Sequence, residues 1–211
     1  AFYKMFTAEK TTPPSPLPEV KPDFEEFVQP TDSLKVIWFG HSSFLLNVQG
    51  TIVLVDPVLS PYASPVFFFS RRFQPTIVEP EDLPHIDYVV ISHDHYDHLD
   101  MPSIEHFVDT DTKFLTPLGV GAHLRGWGIK AANITELDWW ETVDDDDLHF
   151  VAAPAQHFSG RDGVNPNATL WASWVIHTDD YRIFFSGDSG YDIHFKEIGK
   201  RYGPFDVAFL E

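Results

Sequence analysis

The stretch His93-Asp-His-Tyr-Asp-His98 places three imidazoles and two carboxylates in six positions. Neutral imidazole and carboxylate are the side chains that hold zinc and similar divalent ions. His93 and His95 are two apart, so in a locally extended loop both rings project to one side and can share a cation. Asp97 and His98 follow as the chain turns, and can be directed at a second cation nearby. The competing reading is a set of surface polar residues capping a helix. Adjacent imidazoles without an ion, however, repel whenever protonated and contribute little packing. Two divalent ions sharing a water would lower its pKa toward neutrality, make a bridging hydroxide the nucleophile and polarise a phosphoryl or carbonyl oxygen.

Such a cluster needs a rigid support. It follows Ile86-Asp-Tyr-Val-Val-Ile91, a run expected to be a strand buried on both faces and ending at Ser92, and catalytic loops gather beyond strand ends. After it, Asp100-Met-Pro-Ser-Ile-Glu-His-Phe-Val108 has an acidic N-cap candidate, an early proline and apolar residues at helical spacing. Upstream, 35–39, 43–48 and 51–55 read as an antiparallel meander with Gln49-Gly50 as a hairpin turn. Downstream, 113–116, 149–153, 169–176, 181–185 and 205–210 read as strands, with helical segments over 118–127 and 193–202. The acidic run Asp144 to Asp147 lacks the glycine and spaced ligands of a calcium loop and reads as a solvated turn. Residues 1–33 form a proline-rich N-terminal arm, either a plain linker or a strap lying on the surface or on a partner, and 34–211 form one domain.

Composition bounds the function. The chain has 211 residues, 43% of them hydrophobic, enough for one substantial core. A net charge of -18 repels nucleic-acid phosphates and anionic membranes at long range, so no nucleic-acid partner is expected. With no cysteine, a transition-metal site must use His, Asp, Glu and water. No apolar run reaches the roughly 18 residues of a membrane span. The chain opens with Ala1, so a signal or anchor is allowed for upstream, and the compartment is left open between cytoplasmic and periplasmic or membrane-associated.

His93 to His98 matches the His-x-His-x-Asp-His signature of the metallo-β-lactamase superfamily, and companion motifs follow in order. Asp56, in Val53-Leu-Val-Asp-Pro57, resembles the early aspartate that supports the metal loop; His157 resembles the third histidine, and Asp188, in Phe185-Ser-Gly-Asp-Ser-Gly-Tyr191, the bridging aspartate. Within the superfamily, Gly40-His-Ser-Ser-Phe44, Leu99-Asp-Met101, Glu136-Leu-Asp-Trp-Trp140 and 197–205 are most similar to the N-acylphosphatidylethanolamine-hydrolysing phospholipase D group and its bacterial relatives.

The resemblance implies an α/β fold, the αββα sandwich of the superfamily, incomplete at its C-terminus. It implies one ion held by His93, His95 and His157, a second by Asp97 and His98, and Asp188 between them, with Asp97 also orienting the nucleophile. Zinc is the expected metal, with iron or manganese as alternatives. A further histidine normally completes the second site well beyond the bridging aspartate; His194 comes too early for that role, so the chain is expected to be a fragment. The implied reaction is hydrolysis of a small-molecule or lipid phosphodiester, with membrane contact allowed for. A lactonase for a phosphorylated sugar acid and a non-catalytic binding module are the alternatives.

Other residues carry two readings each. His41 is either near the metals or an ordinary turn histidine, while His85, His106, His123, His149 and His177 are read as structural. Trp139-Trp140 and Val66-Phe-Phe-Phe69 are core packing or an acyl-binding surface. Arg71, Arg72 and Arg161 are surface ion pairs or phosphate binders.

Overall fold

A computed structural model describes residues 12–64, 70–145, 147–161 and 164–211; the aromatic stretch 66–69, read above as core or acyl surface, lies outside them. Two sheets pack face to face with helices on their outer sides, which is the expected four-layer sandwich. The first sheet has the order β1 (Leu34–Gly40), β2 (Ser43–Val48), β3 (Thr51–Val55), β4 (Tyr88–Val90), β5 (Lys113–Pro117) and β6 (Ile134–Leu137). Its first three strands are the antiparallel meander, turned at Gln49 and Gly50 with φ of 52° and 100°, the paired positive values of a type I′ hairpin. From β3 to β6 the pairing is parallel.

The second sheet runs β11 (Val207–Phe209), β10 (Arg182–Phe185), β9 (Ser173–His177), β8 (Leu148–Ala153) and β7 (Thr142–Asp145). Period-two alternation sorts side chains between layers. Phe44, Leu46 and Val48 of β2, Val53 and Val55 of β3, and Tyr88 and Val90 of β4 face Phe150, Trp174, Ile176 and Phe185 of the other sheet. Leu45, Ile52, Leu54 and Val89 point the opposite way, toward α2 (Met101–Glu105) and α3 (Gly121–Gly126). On the far side, α4 (Ile193–Tyr202) covers Val151, Val175 and Phe184 through Ile198, Phe195 and Tyr202.

The part of the arm that the structure describes lies on this body. Leu17 exchanges two hydrogen bonds with the side-chain amide of Gln74, at 2.7 and 3.1 Å. The short helix α1 (Phe24–Phe27) buries Phe27 in the outer core, and Asn47 Nδ2 donates to its carbonyl at 2.6 Å.

Several elements differ from the sequence expectation. The acidic turn at 144–147 is instead entered from strand β7, because the Asp145 carboxylate is taken up by the Tyr88 hydroxyl and the Lys113 ammonium, contacts made across the sheets. The helix expected over 118–127 shortens to α3, since Leu118 N–H pairs with Leu137 O and Gly119 adopts φ of 89°. The strand expected from 169 begins at Ser173.

Glu136 holds the α3 turn in place. Its carboxylate accepts from Gly119 N–H at 2.7 Å, Gly121 N–H at 3.2 Å and Arg125 Nη1 at 3.0 Å. Burial opposes its ionisation, but those donors outweigh burial and hold the carboxyl below the usual range. The folded protein therefore binds this proton less readily than the unfolded chain. The stabilisation is complete above the unfolded glutamate pKa, about 4.3, and is lost as pH falls through the lower folded value. Glu136→Gln is expected to lower the unfolding free energy by about 1–2 kcal/mol at pH 7, and the difference from wild type should shrink in acid. Urea titrations at pH 7 and pH 4 check both.

Candidate metal centre

All the candidate ligands lie beyond strand ends at one rim of the sandwich. Strand β4 stops at Val90, and the continuing chain is tied on both sides: Ile91 N–H donates to Leu115 O at 3.0 Å, Trp174 Nε1 to Ile91 O at 2.9 Å and Ala172 N–H to Ser92 O at 2.9 Å. Residues 93–99 then turn before Asp100 caps α2 by accepting from Ser103 N–H. Strand β8 leads to His157 and β10 to Asp188 through Gly187, whose φ of 53° and close approach to Ser92 require glycine.

Asp56 is the buried support of this rim. It sits just past β3 at φ of 39°, fully buried, and accepts from Ser92 N–H at 2.7 Å, Ser92 Oγ at 2.5 Å and His98 Nδ1 at 2.8 Å. Burial pushes its pKa up, against the bonds from His98 and Ser92 that favour the ionised form. With Nδ1–H committed to Asp56, His98 turns Nε2 toward the rim.

Two groups of ligand atoms converge. His93 Nε2 and His157 Nε2 lie 2.9 and 3.1 Å from His95 Nδ1, and Asp188 Oδ2 is 3.6 Å from His157 Nε2. Beside them His41, Asp97 and His98 form a second group, with His41 Nε2 3.3 Å from Asp97 Oδ2. Asp188 Oδ1 reaches His98 Nε2 at 3.0 Å, so its two oxygens face different groups. Glu211 extends this side, with Oε1 2.9 Å from His41 Nδ1.

These residues fit a divalent ion. Tetrahedral ligands at about 2.0–2.1 Å from an ion stand about 3.3 Å from one another, close to the separations seen here. Among the described residues His98 Nε2 and Asp188 Oδ1 are buried without a well-aligned hydrogen-bond partner although they lie 3.0 Å apart, an arrangement that an ion between them would satisfy. Burial, together with the neighbouring imidazoles, keeps His93 well below the ordinary histidine pKa. Burial also lowers His95 and His157, so all three are neutral, as ligation requires. His98 is the exception. Burial works against its charge, but Asp188 and Asp56 raise it to about 10, so an ion at Nε2 must displace a proton. Asp97 and Asp188 are both opposed by burial, yet the contacts with His41 and His98 respectively hold them below the usual carboxylate range.

All six residues singled out in the sequence, His93, His95, Asp97, His98, His157 and Asp188, thus meet at one rim. His41 joins them: the bulge after Trp38, Gly40 at φ of 98° and His41 itself at φ of 45° turn its ring to Asp97. Glu211 was not anticipated, because its approach depends on how β11 pairs with β10. His194 stays apart, 3.0 Å from Ser189 Oγ. His85 lies near Asp87 and Asp111, His123 faces Asp94, and His149 stacks on its cross-strand partner His177. Trp139 and Trp140 pack against the core, Trp139 with Nε1 on Trp171 O and Trp140 under Arg201. Arg72 donates to Val58 O, while Arg71 pairs by its backbone with Tyr62.

Residues 51–211 match the family described as "Beta-lactamase superfamily domain". An uncharacterized protein of Mycobacterium tuberculosis is 45% identical over 200 residues, covering 94% of this chain and 53% of its own length. The N-acyl-phosphatidylethanolamine-hydrolyzing phospholipase D 1 of Caenorhabditis elegans is 35% identical, covering 82% of this chain and 52% of that one. The chain therefore spans about half the length of these curated relatives. A metallo hydrolase from Ignicoccus hospitalis superposes with a TM-score of 0.63 at 24% identity, over 83% of this chain and 69% of the other, a likeness of fold.

Proposed function

The chain belongs to the β-lactamase superfamily, and from that premise we propose that it is a metal-dependent hydrolase cleaving a phosphodiester at a pair of divalent ions, in the manner of a phospholipase D. The observation that carries the pair is Asp188, whose two oxygens point at different ligand groups. In this reading His93, His95 and His157 would hold one ion and Asp97 and His98 the other with His41 at its side, and Asp188 would be a ligand available to both. Zinc suits the nitrogen-rich first group, and iron or manganese would use the same donors.

Divalent ions bound there supply a Lewis acid for a substrate oxygen and bring the pKa of water toward about 7. The protein's own contribution is placement and protonation. Asp97, held ionised below the usual carboxylate range, is the acceptor able to orient an attacking water. His41, raised to about 9 by its bonds to Asp97 and Glu211, is a charged donor beside that carboxylate. A cleft of about 580 Å³ runs from His41 between Trp38, Phe39, Phe73, Ile77 and Leu17, a size and lining suited to an apolar chain. The name of the worm relative and this cleft favour an N-acyl phospholipid among phosphodiesters. Among the described residues no helix is long and apolar enough to cross a membrane.

Zinc-loaded protein is expected to hydrolyse bis(p-nitrophenyl) phosphate and to release phosphatidate from vesicles of N-acylphosphatidylethanolamine. Turnover of a phosphorylated sugar lactone with neither phosphodiester touched would replace this reading by the lactonase one. Full metal loading with no turnover on any of the three would leave a binding module.

A further inference from the structure

Among the described residues Arg161 makes no ion pair and turns its guanidinium onto backbone and aromatic rings. Its Nη1 donates to the carbonyls of Asp94 at 2.8 Å and Leu99 at 2.6 Å, the two ends of the turn that carries His95, Asp97 and His98. The guanidinium lies 3.9 Å from the centre of the Tyr96 ring, which belongs to the same turn, and 5.2 Å from that of Trp127. Tyr96 returns the contact, its hydroxyl donating to Arg161 O at 3.1 Å. One residue earlier, Gly160 N–H donates to Asp94 Oδ1 at 2.8 Å, and Asp94 is 2% exposed. His157 lies four residues before Arg161 on this same segment.

We infer that Arg161, with Asp94 and Tyr96, is a positioning clasp that holds the segment bearing His157 against the turn bearing His95, and so sets the separation of the ligand atoms in the first metal group. The inference rests on the reading of those histidines as ligands. Without the clasp, the Nε2 to Nδ1 approach of His157 and His95 at 3.1 Å would depend on loops that these bonds no longer join. A lysine is a poor replacement for Arg161: its ammonium could reach the two carbonyls that Nη1 serves, but it lacks the planar face that lies on Tyr96 and is carried on a more flexible stem.

The test is zinc affinity by competition with a chelator, and the absorption spectrum of the cobalt-substituted protein, for wild type, Arg161→Lys and Tyr96→Phe, with folding followed by circular dichroism. Arg161→Lys is expected to fold and to bind zinc about 10–100-fold more weakly, the range for residues that orient a ligand, with altered cobalt bands. Tyr96→Phe keeps the ring under the guanidinium and loses only the hydroxyl bond, so a loss of roughly threefold is expected, in line with one neutral hydrogen bond. A lower melting temperature with unchanged affinity and cobalt spectrum in Arg161→Lys would overturn the clasp. Should Arg161→Lys not fold, unchanged zinc affinity in Tyr96→Phe would overturn it instead. Wild-type protein that takes up no zinc at all would overturn the ligand reading itself.

Discussion

Asp188→Ala is expected to leave the protein folded but to reduce bound metal from about two equivalents to one or fewer, and to lower turnover by more than the 10–100-fold typical of residues that only support a ligand. Asp188 belongs to two of the candidate groups, with Oδ1 toward His98 Nε2 and Oδ2 toward His157 Nε2. Removing it takes one donor from each group at once. It also removes one of the two carboxylates, with Asp56, that keep His98 charged when no ion is present, so the second group loses a ligand and a counter-charge together. The fold should tolerate the change, because Asp188 is partly exposed and lies past the end of β10. Elemental analysis of purified wild type and variant, with turnover on bis(p-nitrophenyl) phosphate, gives the answer. A variant that retains two equivalents would refute the shared-ligand role.

Asp56 is expected to give the larger effect on stability. Asp56→Ala would strand Ser92 N–H and His98 Nδ1 in a fully buried site, breaking a buried charged network at a cost of about 3–5 kcal/mol. That is a large part of the roughly 5–15 kcal/mol that holds a typical domain together, so low yield or unfolding near room temperature is the expected outcome. Asp56→Asn separates stability from ligation. The amide fills the same space and its oxygen can still accept from Ser92 N–H, but its NH2 then meets His98 Nδ1, which must become an acceptor. In a neutral ring that places the proton on Nε2, the atom aimed at the candidate site. Asp56→Asn should therefore stay folded while its metal uptake falls about 10–100-fold. Denaturant melts and zinc titrations of the two variants compare these outcomes; an asparagine variant with wild-type uptake would show that the tautomer of His98 is set elsewhere.

The candidate ligand cluster was readable in the chain because it is written in short-range spacing. Three histidines and two aspartates within 93–98 follow one strand, and a rigid strand end delivers neighbouring residues to nearby points in space. The same holds for the meander, where Gln49-Gly50 dictates a two-residue turn and alternation assigns each side chain to a layer. His157 and Asp188 were identified by resemblance of their motifs; only the packed sheets show that β8 and β10 bring them to the end of β4.

What the tertiary structure alone decided depends on partners far apart in sequence. His41 had two readings until the bulge in β1 turned it to Asp97, and Arg161, readable as a surface ion pair or a phosphate binder, is neither once its Nη1 is seen joining the turn from Asp94 to Leu99. Asp144 and Asp145 have the composition of a solvated turn, yet Tyr88 and Lys113, more than thirty residues earlier, draw Asp145 into place. Local sequence specifies what a residue can donate, accept or bury. Which donor meets which acceptor is settled by long-range strand pairing and by the requirement that buried polar groups find partners.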